Sequence, residues 1–176
     1  MTLSSEYQTI YYCCSSLYSD SLLEFNCKKS VCTSIGPSST FSIDNLTLGR
    51  EDIGWTSSFK YLGVAFNTGR KLPVDINVTK CKFFASCNCI LGNVKCLNDV
   101  VKLNLIEPYC LPILLFATVA MPLSQEQLAK LNAGWNSGYR RIFGFNKWES
   151  VRSFIAGLGR LDFISLRAYL CIRFCK

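Results

Sequence analysis

Apolar residues recur along this chain with two different periods, and the change falls near position 70. After Pro73, Ile76, Phe83, Cys87, Ile90, Leu91 and Val94 follow at steps that keep them on one face of a helix, with Asp75 placed to cap its first turn. A second helix is predicted from Asp99 to Ala120. It holds the most apolar stretch, Leu103 to Met121, which Pro108 and Pro112 interrupt. The uninterrupted runs are too short to cross a bilayer, so a buried, proline-kinked helix is expected. The best-marked helix follows. Ser124 and Gln127 have the spacing of a capping box, and Leu128, Leu131, Trp135, Tyr139 and Ile142 form a stripe that Gly144 ends. Asn146 and Glu149 repeat the capping pattern ahead of Val151, Phe154 and Ile155, with Gly157 closing. A last helix is predicted from about Asp162 to Phe174.

The first third reads differently. Glu6 to Tyr18 fits a helix. Leu22 to Phe25, Val31 to Ile35 and Phe41 to Asp44 fit short strands, with a turn at Gly36-Pro37-Ser38-Ser39. Leu48 to Asp52 reads as a hairpin connection. Phe59 to Phe66 is apolar on both faces and reads as a covered strand. A Gly-, Pro- and charge-bearing linker spans Asn67 to Pro73. The fold class expected is α+β: a small antiparallel β-rich unit over residues 1–68, then an α-helical bundle over residues 73–176.

Composition narrows the picture. With 49% hydrophobic and 18% charged residues, the chain is too apolar for disorder and too interrupted for a membrane protein. The formal charge of +7 suits a polyanionic partner, although solvated surface charge accounts for it equally simply. Histidine is absent, which excludes a Ser-His-Asp triad and a Cys-His pair. The 11 cysteines are odd in number and form no C-x-x-C pair, so reduced thiols packed as small hydrophobes are expected in place of zinc. Met1 to Glu6 has no basic region and no apolar run, which predicts an intracellular protein of cytoplasm or nucleus.

Two motifs carry more information. Leu23-Glu24-Phe25-Asn26-Cys27-Lys28-Lys29-Ser30 is followed about thirty residues later by Phe59-Lys60-Tyr61-Leu62-Gly63-Val64. In this order they resemble the end of the palm in non-LTR (LINE-type) retrotransposon reverse transcriptases, which are RNA-directed DNA polymerases. There F-N-x-x-K-S follows the catalytic Y-x-D-D hairpin, and K-Y-L-G is the turn that grips the primer. Pro108 to Leu114 and Trp135 to Gly144 are similar to that family's thumb and post-thumb helices. The resemblance implies a palm remnant over 1–68 and a thumb-like region over 73–176. It implies that Lys29 is a vestigial phosphate contact with Asn26 fixing its turn, and that Lys60, Tyr61, Leu62 and Gly63 form a primer grip.

The chain departs from that family where the chemistry lies. It contains no Y-x-D-D. Tyr18-Ser19-Asp20-Ser21 carries one carboxylate where nucleotidyl transfer needs a cluster to hold two divalent ions. The adjacent pair Glu51-Asp52 reads as a polar turn. A fragment without catalytic aspartates is therefore expected to be no enzyme and to hold no cofactor, magnesium being expected only in an intact homologue. Its expected partner is RNA or an RNA–DNA hybrid, contacted by Lys130, Arg140, Arg141, Lys147 and Arg152. Trp135 and Tyr139 could stack on bases, but their helical register favours the core. Two alternatives stay open: an element-derived module that binds protein through an exposed apolar face, and a decayed reading frame without function. No membrane partner is expected.

Overall fold

In a computed structural model, the chain is described at residues 26–36, 46–48, 51–70, 72–116, 118–119 and 121–174. The expected helix over Glu6–Tyr18 and the strands at Leu22–Phe25 and Phe41–Asp44 lie outside these residues, as does most of the turn after Gly36. The fold is mixed α+β: two antiparallel two-stranded sheets and a helical majority among the described residues. It divides into two compact units, Met1–Pro73 and Val74–Lys176.

In the first unit, strands β1 (Leu46–Leu48) and β2 (Glu51–Ile53) pair antiparallel, with Leu46 opposite Ile53. Strands β3 (Ser58–Tyr61) and β4 (Val64–Asn67) form a second hairpin, with Tyr61 opposite Val64. The sequence pattern at Phe59–Phe66 predicted one strand covered on both faces. The run instead folds back at Leu62–Gly63, so its apolar residues come from two strands. Val64 and Phe66 are buried and Phe59 stacks on Phe66, ring centroids 5.4 Å apart. Val31–Ile35 is also not a strand. Only Cys32 pairs, through its amide to the Gly54 carbonyl and its own carbonyl to the Thr56 amide. Val31 and Ile35 are exposed on either side, so no alternating buried face holds the segment in a sheet.

The second unit begins with α1 (Ile76–Asn93), whose first turn Asp75 caps by accepting from the Asn77 amide. Asn98 caps α2 (Asp99–Leu115) in the same way. This helix stops short of the expected Ala120, because the Leu115 carbonyl is taken by both the amide and hydroxyl of Thr118. It is buried on one face only, at Leu103, Ile106, Cys110 and Leu114. Pro108 and Pro112 stand on the exposed side. α3 (Gln125–Phe143) carries the reciprocal Ser124–Gln127 capping box, and Gly144 ends it in the left-handed region. α4 (Arg152–Gly157) and α5 (Phe163–Phe174) complete the unit, and Asp162 caps α5 by accepting from the Ser165 amide.

The core is centred on α3. Trp135 and Tyr139 are buried, meet edge to face at 5.3 Å, and pack with Phe83 of α1 and with Phe143. Gly138 lets Phe83 approach, since a Cβ there would meet that ring at 3.4 Å. The Tyr139 hydroxyl donates to Glu107 Oε1 of α2 at 3.1 Å, while Glu107 Oε2 meets Arg160 at 3.3 Å. This bridge satisfies the one polar atom that Tyr139 carries into the core.

Candidate nucleic-acid interface

Asn26 and Lys29 meet in a 3₁₀ turn, Cys27–Lys29. The Asn26 side chain accepts from the Lys29 amide at 3.1 Å, and the Ser30 hydroxyl donates to the Asn26 carbonyl at 2.9 Å. Asparagine suits this position because its short side chain mimics a backbone acceptor. The turn leaves Lys28 and Lys29 exposed.

Lys60, Tyr61, Leu62 and Gly63 form the tip of the β3–β4 hairpin. Both central residues have positive φ, 46° at Leu62 and 86° at Gly63, the combination that a type I′ hairpin turn requires. Glycine accepts this conformation freely and leucine does not. Lys60 is exposed, and Tyr61 and Leu62 are 62% and 77% exposed. The hairpin thus holds an aromatic and an aliphatic side chain in solvent on a strained backbone.

Glu51 and Asp52, expected in a turn, are neighbours on strand β2 and both exposed. Consecutive strand residues point to opposite faces, so the two carboxylates diverge. Among the described residues, no three of Cys, Asp and Glu come together as a metal-binding group.

The basic residues of the second unit are not equivalent. Lys130 pairs with Glu126 one turn back, an exposed pair that also holds the Glu126 carboxyl below its usual range. Arg140 and Arg141 lie at the end of α3, Lys147 in the loop that follows, and Arg152 opens α4. Arg140 Nε donates to the Glu149 carbonyl at 2.8 Å. Arg141 donates to Asn88 at 2.6 Å and lies 5.0 Å from the Phe84 ring. Lys147 Nζ sits 4.9 Å from the ring of Trp148. The helix-capping role expected for Asn146 and Glu149 is not realised. They close a turn on themselves, Glu149 accepting from the Asn146 amide and side chain at 2.9 Å each, and the same bonds hold its carboxyl below the usual range. The helix start moves to Arg152 because the Glu149 carbonyl is engaged by Arg140.

Trp148, next to Lys147, is 87% exposed, whereas Trp135 and Tyr139 are core. The available signal was register: Trp148 falls after the Gly144 stop, outside the α3 stripe. Cysteines divide similarly. Of those described, Cys87 and Cys110 are buried, while Cys81, Cys89 and Cys96 are exposed, so packing as small hydrophobes accounts for only part of the set. Burial is the main cause that raises the Cys87 and Cys110 thiols.

Apolar surface is open on the helical unit. A groove of about 460 Å³ runs between α1 and α2, lined by Cys89, Ile90, Val94, Leu105 and Tyr109 among others. On α5, Ile164, Tyr169, Ile172 and Phe174 are exposed. No helix among the described residues is long and apolar enough to cross a membrane. Comparison with known proteins gives no match: no family model fits the chain, and no curated protein or solved structure is significantly similar to it.

Proposed function

We propose that the chain is a reverse-transcriptase-derived fragment that binds RNA or RNA–DNA hybrid without sequence preference and transfers no nucleotides. The observation that carries this reading is the Lys60–Gly63 hairpin tip. An exposed Tyr-Leu pair beside a lysine, on a backbone with positive φ at leucine, is favoured neither by burial nor by the backbone preference of leucine. Strain of this kind is retained where a ligand uses it. A backbone turn with glycine at its end allows close approach of a sugar-phosphate chain. The second unit adds phosphate-neutralising charge at Arg140, Arg141, Lys147 and Arg152. Lys130, engaged by Glu126, contributes less. The divergent Glu51–Asp52 pair gives no clustered carboxylates for two-metal chemistry.

Fluorescence anisotropy of the whole chain with labelled RNA, hybrid and duplex DNA tests the proposal. Affinity should fall steeply with salt, and each phosphate contact removed by neutralising a cation should lower the log–log slope by about 0.9 on duplex DNA and about 0.7 on a single strand. No binding at low salt would sink it. Primer extension with magnesium or manganese should show no incorporation.

A second reading, a protein-interaction module, is favoured by the exposed apolar residues of α5. Salt-insensitive capture of a protein partner, lost on replacing Ile172 and Phe174 by serine, would support it.

A further inference from the structure

We infer that the loop Phe145–Val151 is a single-nucleotide stacking platform, with Trp148 as the surface on which one unpaired base lies. The inference rests on the nucleic-acid reading above and specifies its ligand as a single strand. Tryptophan is among the residues most buried on average, so 87% exposure on an ordered loop needs a reason. The loop is held at both ends. Phe145 packs edge to face on Phe154 at 5.0 Å, and Val151 is buried. Between them the Asn146–Glu149 bonds and the Arg140–Glu149 bond fix the turn that presents the indole. A turn whose backbone is already fixed loses little entropy on binding.

Charge selects the occupant. Four cations, Arg140, Arg141, Lys147 and Arg152, stand here against two carboxylates: Glu149, which Asn146 already engages, and Asp162, on which Arg152 acts. Lys147 lies over one face of the indole ring, so the base stacks on the other and the ammonium neutralises the phosphate of the same strand. A duplex offers no free base face to such a platform. A membrane surface fits poorly, because the side chains flanking Trp148 in the turn are Asn146, Lys147, Glu149 and Ser150, with no apolar companion to insert.

The test uses the whole chain, a labelled oligo(U) strand, an abasic strand of equal charge, a duplex and anionic vesicles. Trp148→Ala should weaken oligo(U) binding about 5- to 150-fold, the range of a lost base–aromatic stack. Trp148→Phe should retain most of the affinity, and duplex binding should change little. The native chain should prefer oligo(U) to the abasic strand, and Trp148→Ala should abolish that preference. Equal oligo(U) binding by native chain and Trp148→Ala overturns the platform while leaving the general reading intact. Absence of binding to any nucleic acid at low salt overturns both. Loss of vesicle binding in Trp148→Ala, with oligo(U) binding unchanged, assigns the indole to a lipid surface and overturns the platform.

Discussion

Replacing Tyr139 by Phe isolates a buried polar contact at the centre of the helical unit. Tyr139 is 1% exposed and its hydroxyl donates to Glu107 at 3.1 Å. Removing the hydroxyl changes the ring volume little, so the cost is the hydrogen bond and not a cavity. A bond to a charged group contributes about 1.5–3 kcal/mol. Glu107 keeps Arg160 at 3.3 Å, which points to the lower end, about 1.5–2 kcal/mol. For a unit of about one hundred residues this lowers Tm by roughly 6–15 °C. Thermal melts of both chains followed by circular dichroism give the difference. The substitution also has an alkaline signature. Burial first, then the charge of Glu107, raises the phenol above its ordinary value of 10.0. The unfolded chain therefore ionises first as pH rises, and the stability contributed by this group is whole below about pH 10 and falls above it. In Tyr139→Phe that share of the alkaline decline should be missing. A melt within about one degree of the native chain, a small fraction of the shift a 1 kcal/mol change gives, would refute the bridge as a stabilising contact. Because the residue is core, nucleic-acid affinity below the melting range should not change.

Two further outcomes follow from backbone geometry. Gly134→Ala on α3 should stabilise the helical unit by about 0.5–1 kcal/mol in urea titration, since alanine is the better helix former and the added Cβ meets nothing within 4 Å. Leu62→Asn at the hairpin tip should raise stability by about 0.5–1 kcal/mol, as asparagine tolerates positive φ, while lowering affinity for RNA. A variant that is neither more stable nor weaker in binding would remove the argument from strain.

The helical half was largely legible, and for local reasons. The capping pairs at Asp75 and Ser124–Gln127 and the Gly144 stop act within one turn, so their spacing is enough to read them. The misreadings arose where a distant or competing group took a backbone partner. Asn146 and Glu149 have the spacing of a helix start, but Arg140 claims the Glu149 carbonyl. Thr118 similarly claims Leu115. At Phe59–Phe66, periodicity cannot distinguish a covered strand from two strands meeting at Leu62–Gly63, because a leucine with positive φ carries no turn signal. In the candidate interface, charge identified the basic residues but not which were already engaged, as Lys130 is. The exposure of Trp148 depends on how its loop closes, which spacing alone does not encode.

The sorting of cysteines gives the helical unit a built-in gauge of its own opening. Cys87 on α1 and Cys110 on α2 are sealed within the core, and burial suppresses the thiolate that an alkylating reagent needs. Cys81, Cys89 and Cys96 meet the reagent in the native state. Modification of the sealed pair therefore proceeds only as fast as those helices part, so their labelling rate reads out excursions that leave the bulk of the molecule folded.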